Sequence, residues 1–346
     1  MASTVVNSNP AIPALEVGNL RAEFAALLSG AGVYDLGSKA KVALTGGDRV
    51  RWLNGMVTNN IRDLAAGHGV YAFLLNPQGH ILGDLYAYNR GDSLMIDTDR
   101  SQSEKLLATF DHYIIMDDVE VANVSDKLTA IGIAGPKARE VLHAVGLEIG
   151  ALEALQFVDL NWQNVPVAVV RGDNASLESY EMWLLPAQVT LLRDSLQKAG
   201  ATPVSAAALE LLRIAAGTPL YGQDIRERDL PQETEQLRAV HFSKGCYIGQ
   251  EIVERIRSRG NVHRKFTGFE VEGALPAVGA KIQADGRDIG EITSVASLPL
   301  ADRGRTVALG YIRREIATPG KQFQIGGAQL SVAALPFSEV FHQENL

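Results

Sequence analysis

The helical periodicity of this chain ends at Gly260, and this break restricts the fold more than any other feature of the sequence. Helical and strand-like segments are mixed upstream of it. From there to the C terminus the chain consists of short strand-like segments separated by Gly, Pro and Asp. Closely spaced short strands with turn residues between them are typical of small all-β domains. We therefore predict a separate C-terminal β-barrel domain over residues 263–346.

The region upstream of the predicted barrel favours the α+β class. Leu20, Phe24 and Leu27 lie on one helical face, and Asp99 is placed to cap the next long helix. Segments 119–124 and 128–133 have the pattern of a strand pair. A doubly wound parallel sheet requires a regular alternation of strands and helices. Because this region lacks that alternation, we predict a mixed α+β fold.

Composition excludes several functional classes. The chain has 346 residues, enough for two or three domains, and its net charge of −8 argues against a general polyanion-binding protein. Residues 1–18 contain no Lys or Arg, and no uncharged apolar segment approaches the ~18 residues of a membrane span. We expect a cytoplasmic protein with a flexible tail over residues 1–17. One cysteine permits neither an internal disulfide nor a cluster held by several of the chain's own cysteines.

That single cysteine, Cys246, lies in the sequence KGCYIGQE, which is called the cysteine motif here and spans residues 244–251. Segment 244–265 holds six Lys or Arg residues and two Glu residues. Nearby cations and a following helix N-terminus would favour the reactive thiolate, whereas the alternative is a buried packing cysteine. The basic stretch 255–265 suggests an anionic ligand or an RNA partner, and the alternative is a solvated helix face.

The cysteine motif, continued as Ile252-Val253 and 259–262 (RGNV), resembles the signature of the YgfZ family of folate-binding proteins. That family belongs to the superfamily of the glycine-cleavage T-protein, an aminomethyltransferase. The resemblance implies a T-protein-like three-lobed fold. Residues 18–240 would form a folate-binding region of two interleaved α/β lobes, 241–262 the motif loop and its helix, and 263–346 the barrel.

The same resemblance implies an accessory function in iron–sulfur metabolism. The protein would bind tetrahydrofolate and support the maturation or repair of clusters in enzymes such as those that thiomethylate tRNA. Its partners would be iron–sulfur client or assembly proteins, and we expect a monomer. Cys246 would be the functional thiol, with Lys244, Gln250 and Glu251 beside it.

Four further segments match the folate-binding face of the superfamily, and they are Thr58-Asn59, the hairpin 76–85 with Asp84, Tyr180-Glu181-Met182, and 212–222 with Arg213. By this resemblance Asn59, Asp84, Glu181 and Arg213 would line the tetrahydrofolate site. A carboxylate such as Glu181 suits the amidine-like edge of a pterin, and an arginine fork suits the carboxylates of the folate tail. The alternatives are that Asp84 only ends a hairpin and that Arg213 is a surface residue of a helix.

One departure from the T-protein pattern bears on the reaction. The T-protein has two adjacent aspartates after its hairpin glycines, and here Gly83 stands at the first of these positions. We therefore predict that aminomethyl transfer is lost and that the protein is not a classical enzyme. The rival hypothesis is a tetrahydrofolate-dependent aminomethyltransferase or other one-carbon transferase. His241 and His263 do not have the spacing of a zinc site with Cys246, so no metal site is predicted, and His241 is the better candidate for a base to the thiol.

Overall fold

The computed structural model describes residues 14–260, 262–300 and 304–341, without the side chains of residues 14–18 and 259. The helices are α1 Ala14–Ser29, α2 Arg49–Met56, α3 Arg100–Tyr113, α4 Ala138–Ala144, α5 Val189–Lys198, α6 Ala206–Ala215 and α7 Gln250–Arg259. The strands upstream of the barrel are β1 Gly32–Asp35, β2 Lys39–Thr45, β3 His68–Leu75, β4 Ile81–Asn89, β5 Leu94–Asp99, β6 Glu120–Asn123, β7 Thr129–Ala134, β8 Phe157–Trp162, β9 Val165–Arg171, β10 Ser179–Leu184 and β11 Thr202–Pro203.

These strands form two sheets, and the chain crosses between them twice. The first sheet has the order β11-β1-β7-β10-β9-β8, and the second has the order β3-β4-β5-β2-β6. Helices α4 and α5 pack on the first sheet, and α2 and α3 pack on the second. A cluster that includes Tyr88 from the second sheet and Trp183 from the first joins the two. The α+β prediction is confirmed.

The prediction that segments 119–124 and 128–133 pair with each other is wrong. Both strands exist, but β6 pairs with β2 in the second sheet while β7 lies between β1 and β10 in the first. The apolar run Ala130–Ala134 is buried on both faces, as expected for a central strand, whereas β6 is largely exposed, as expected for an edge strand. Adjacent strand-like segments therefore belong to different sheets.

The C-terminal strands close into a barrel, as predicted. They are β12 Arg264–Gly273, β13 Lys281–Ala284, β14 Arg287–Leu298, β15 Arg305–Arg313, β16 Gln322–Ile325 and β17 Ala328–Ala333. The order is β12-β15-β14-β13-β16-β17, and pairing of β12 with β17 closes the ring. One side of the barrel packs against α1 and α6 in a shared apolar cluster. This packing fixes the barrel against the two sheets.

Two further predictions concern the N-terminal tail and the lack of a membrane span. Residues 1–13 of the predicted tail lie outside the described residues, and α1 begins at Ala14. Within the described ranges, no helix is long and apolar enough to cross a membrane.

The turn of the β3–β4 hairpin packs against the cysteine motif. Gly249, the residue before α7, has φ = 80°, and a Cβ built on it would lie 2.6 Å from the carbonyl oxygen of Asn76. Gly79 in the turn has φ = 77°, and its Cβ would lie 2.8 Å from Cβ of Ile252. Only glycine permits both the backbone conformation and this close approach. The motif therefore supports the hairpin that carries Asp84.

Candidate functional site

Three connected cavities lie where the two sheets meet the barrel. The acid cavity, of about 200 Å³, is lined by Asp84 and Asp97 among others. The Glu181 cavity, of about 150 Å³, adjoins it, and both are lined by Lys39 and Tyr86. The barrel cleft, of about 520 Å³, shares Thr218 and Arg238 with the acid cavity and Asp173 and Asn174 with the Glu181 cavity. The shared residues place the three cavities next to one another, from the barrel to the space between the sheets.

Strand alternation places the groups of the acid cavity. Asp84, Tyr86 and Tyr88 follow one another at a spacing of two on β4 and therefore share a face. Asp97 on β5 lies directly opposite Tyr86 in the register. Asp84 and Asp97 thus reach the same cavity from neighbouring strands.

Both oxygens of Asp84 are held by neutral donors. The hydroxyl of Tyr71 donates to Oδ2 at 2.7 Å, and Nε2 of Gln102 donates to Oδ1 at 2.8 Å. Oε1 of Gln102 accepts the backbone N–H of Asp84 at 3.0 Å. A Cβ on Gly83 would lie 2.9 Å from that same Oε1 atom. The missing side chain at position 83 therefore makes room for the glutamine that orients Asp84.

Asp97 lines the acid cavity and also belongs to a buried ion cluster. Nζ of Lys41 lies 3.1 Å from Oδ2 of Asp97 and 3.6 Å from Oε2 of Glu181. Burial raises the pKa of Asp97, and Lys41 only partly opposes this effect. Oδ1 of Asp97 is buried and has no hydrogen-bond partner among the described residues. The second carboxylate of the site is therefore Asp97, which the sequence interpretation had not identified.

Glu181 on β10 is the carboxylate of the neighbouring cavity. Its Oε2 atom accepts a hydrogen bond of 2.9 Å from Nε1 of Trp183. Burial alone would raise the pKa of Glu181, but the charges of Lys41 and Lys39 outweigh it and lower the pKa. Glu181 is therefore an ionised, oriented acceptor at neutral pH. It lines the Glu181 cavity, and its role in binding folate stays a prediction.

Asn59 acts on the site through Arg238. Nδ2 of Asn59 donates to the backbone carbonyls of Tyr71 and Arg238, both at 2.8 Å. The guanidinium of Arg238 lies over the ring of Tyr71 at 4.4 Å and forms an ion pair with Asp173. Arg238 thus lines the barrel cleft and the acid cavity, while Asn59, which lines none of the three cavities, positions its backbone. No sequence pattern indicated Arg238, because its partners are distant in the chain.

Comparison with known proteins places this architecture in a family. The family profile described as the GCVT N-terminal domain matches residues 16–244, and the profile of the glycine cleavage T-protein C-terminal barrel domain matches residues 264–342. This chain belongs to the glycine cleavage T-protein family.

Relatives and a solved structure agree with this assignment. A protein of Rubrobacter xylanophilus named aminomethyltransferase is 29% identical over 304 residues, covering 87% of this chain and 81% of the relative. An aminomethyltransferase of Halothermothrix orenii is 28% identical, covering 88% and 86%. The crystal structure of the glycine cleavage system aminomethyltransferase T from Bartonella henselae has the same fold, with a TM-score of 0.82, 22% identity and coverage of 92% and 89%.

These relatives correct the function predicted from the cysteine motif. The interpretation as an accessory protein of iron–sulfur cluster maturation, serving tRNA-thiomethylating enzymes, is wrong, because the relatives across most of the chain are named aminomethyltransferases. The rival hypothesis of a one-carbon transferase agrees better with them. The prediction from Gly83 that aminomethyl transfer is lost assumed that a second carboxylate could come only from the adjacent position. In this T-protein family member Asp97 supplies a carboxylate to the same cavity from β5.

The guanidinium group of Arg213 is fully hydrogen-bonded to neighbouring residues of the T-protein fold. All five of its N–H groups have acceptors, which are the carboxylates of Glu210 and Asp224, the carbonyl of Thr218 and the hydroxyl of Ser294. Its side chain is mostly buried, although it contributes to the wall of the acid cavity. Binding of folate carboxylates by Arg213 stays a prediction that would require this network to open.

Lys244 was predicted to help activate Cys246, but its ammonium group is bound by three backbone carbonyls instead. Nζ of Lys244 donates to the carbonyls of Asn54 at 2.5 Å and of Val57 and Asn59 at 2.7 Å. These carbonyls lie in the last turn of α2 and directly after it, where a cation is favoured. Burial, with a smaller contribution from Arg62, lowers the pKa of Lys244 to about 7. Lys244 thus stabilises α2.

The remaining residues of the cysteine motif lie apart from the three cavities. Cys246 is exposed, and neither it nor Gln250 nor Glu251 lines any of the three cavities. Glu251 pairs with Arg255 on the surface of α7 at 2.7 Å. Nδ1 of His241 accepts the backbone N–H of Ser243. The structure therefore does not bring the predicted catalytic set together, and a functional role for the Cys246 thiol stays a prediction.

The basic stretch 255–265 is largely neutralised by carboxylates. Arg257 lies 3.6 Å from Glu254, and Arg264 forms ion pairs with Asp229 and Glu233. The side chain of Arg259 lies outside the described residues. An RNA partner, iron–sulfur partners and a monomeric state are not tested by these contacts and stay predictions.

Proposed function

We propose that this chain is a tetrahydrofolate-dependent aminomethyltransferase, which transfers a one-carbon unit from an aminomethyl donor to tetrahydrofolate. The observation that carries the proposal is the pair of joined cavities with Glu181 in one and Asp84 with Asp97 in the other. The names of the relatives support the same reaction, and aminomethyltransferases of this family use tetrahydrofolate. On the residues of the cysteine motif alone, we also propose that the chain belongs to the subgroup resembling YgfZ.

The donors and acceptors of the cavities fit a reduced folate. A pterin presents adjacent N–H donors at its amidine-like edge, which match an oriented carboxylate such as Glu181. Tyr86 and Tyr88 supply aromatic surface beside that carboxylate. The two inner cavities together reach the lower end of the usual range for ligand pockets, about 300–1,000 Å³. Arg238 and Lys265 line the barrel cleft and would place positive charge beside the anionic tail of the folate.

The carboxylates of the acid cavity suit the donor side of the reaction. An aminomethyl group carries a cationic amine, and carboxylates fixed in a site poor in water stabilise such a charge more strongly than water-exposed ones do. Asp84 is held rigidly by Tyr71 and Gln102. Oδ1 of Asp97 is buried without a hydrogen-bond partner among the described residues, and burial raises the pKa of this carboxyl group, so Asp97 holds a proton more readily than an exposed aspartate does. When bound, tetrahydrofolate supplies the nitrogens that accept the one-carbon unit.

The folate assignment predicts a large effect of Glu181→Gln. The substitution keeps the shape of the side chain but replaces one acceptor oxygen with a donor that opposes the pterin N–H groups. We expect tetrahydrofolate binding to weaken by about 2–3 kcal/mol, since each hydrogen bond to a charged group contributes about 1.5–3 kcal/mol. Isothermal titration calorimetry measures this change, and Glu120→Gln on the exposed edge strand β6 is the matched control.

The pH dependence of the same titration gives a second check. The lowered pKa of Glu181 keeps its carboxylate ionised at neutral pH and below the ordinary value of 4.5. The contribution of Glu181 to affinity should therefore be constant from neutral pH to about pH 5 and fall only as the pH drops through that lowered pKa. Equal affinities of wild type and Glu181→Gln would remove Glu181 from the folate site.

A further inference from the structure

Lys39 has an unusual position between the two inner cavities. It is the first residue of β2 and lines both the acid cavity and the Glu181 cavity. Lys41, two residues along the same face of the strand, is held by Asp97 and Glu181. Among the described residues, by contrast, no acceptor lies within hydrogen-bond or ion-pair distance of the Lys39 ammonium. Three N–H donors therefore face the junction of the cavities.

The surroundings keep this side chain in the ammonium form. Burial alone would lower the pKa of Lys39, but Asp97, Glu181, Asp84 and Asp99 together raise it. Each of these carboxylates nevertheless lies beyond the 4.0 Å of an ion pair. Water in the cavities can solvate this ammonium in the free protein, whereas a ligand that displaces the water must provide an acceptor in its place. The site is therefore arranged to receive a hydrogen-bond acceptor at this point.

The chemistry of a pterin indicates which acceptor that is. If the carboxylate of Glu181 takes the ring N3–H and the 2-amino group, the next substituent beyond N3 on the ring is the oxygen on C4. Lys39 shares the cavity with Glu181 and stands on its side toward Asp84. We propose that Lys39 donates to the C4 oxygen of the bound pterin and makes the site selective for 4-oxo over 4-amino pterins.

This inference rests on the proposed function and deepens it, because it assigns a specificity residue to the folate site. A 4-amino pterin would turn an amino group toward the ammonium of Lys39, so that two donors face each other without an acceptor. An unpaired buried donor loses the free energy of a hydrogen bond to a charged group, which corresponds to a discrimination of about 10–100-fold. A lysine that only balances the surrounding carboxylates would affect both ligands equally.

The test compares tetrahydrofolate with its 4-amino analogue reduced in the same way; the analogue has an amino group on C4 and also lacks the N3–H that faces Glu181, so the contribution of Lys39 is the change in preference between wild type and variant. Their dissociation constants are measured by calorimetry for wild type, Lys39→Met, which keeps the length of the side chain, and Lys39→Arg, which keeps a donor. Lys127→Met on an exposed turn is the control. We expect Lys39→Met to reduce the wild-type preference for the 4-oxo ligand by about 10–100-fold, to the part that Glu181 supplies through N3–H, and Lys39→Arg to reduce it less.

Each contrary outcome has a distinct meaning. If Lys39→Met binds tetrahydrofolate with the wild-type preference, the inference about Lys39 is overturned while the folate site stands. A loss of affinity that is equal for the two ligands would likewise overturn it, because it would indicate a purely structural role. If wild type binds neither ligand, both the inference and the proposed function fail.

Discussion

Asp84→Asn is expected to reduce the rate of aminomethyl transfer by about 10²–10³-fold, the usual loss when one preorganised group for a developing or bound charge is removed. The amide keeps the shape of the carboxylate but removes its charge, and it also places an N–H donor opposite Tyr71 or Gln102, both of which now donate to Asp84. Because Glu181 lies in the neighbouring cavity, tetrahydrofolate affinity should change by less than about tenfold.

A coupled assay of product formation at saturating tetrahydrofolate measures this loss, with affinity measured separately. Asp194→Asn, an exposed position on α5, is the matched control and should leave the rate unchanged. A rate within threefold of wild type for Asp84→Asn would mean that the acid cavity does not bind the donor. The assignment of the reaction to this cavity would then be wrong.

Gly249→Ala should cause a large loss of stability. Its φ of 80° lies in the left-handed region, and the added Cβ would approach the carbonyl oxygen of Asn76 to 2.6 Å. Backbone strain contributes about 1–2 kcal/mol, and displacement of the packed hairpin adds about 1–3 kcal/mol. We expect the free energy of unfolding to fall by about 3 kcal/mol in total.

A second glycine separates the two causes. Gly146 has a φ of 84°, and a Cβ added to it would meet no atom within 4 Å, so Gly146→Ala should cost only the backbone strain of about 1–2 kcal/mol. Denaturant titrations of the two variants give the difference. If both variants lose the same stability, the motif does not press against the hairpin. The support of Asp84 by the cysteine motif would then have to be abandoned.

Local patterns in the sequence were sufficient for the elements and for the barrel. Asp99 caps α3 by accepting the N–H of Ser101, as its position before the helix predicts. The short strands after Gly260 close into a barrel because their apolar faces have one another to pack against. The partners of β6 and β7 could not be predicted from local patterns, because they depend on which of the two sheets each strand joins.

The site was only partly predictable for a related reason. Glu181 and Asp84 were found through resemblance, and both line the cavities. Lys244 was misinterpreted because its acceptors on and after α2 lie about 190 residues away in the chain. Lys39 and Lys41 did leave a signal that the sequence interpretation missed. Two lysines at a spacing of two within a buried strand are unusual, because lysine is rarely buried without a partner.

Following the transferred carbon tests whether this chain moves an aminomethyl carbon to tetrahydrofolate. Wild-type protein is mixed with tetrahydrofolate and a thioether-linked aminomethyl donor that carries a ¹³C label in its methylene group, and the products are analysed by NMR. Aminomethyl transfer predicts labelled methylene-tetrahydrofolate together with equal amounts of released ammonia and of the free thiol of the donor, all dependent on the protein. Labelled folate no more abundant than in the protein-free control, at saturating tetrahydrofolate, would contradict it.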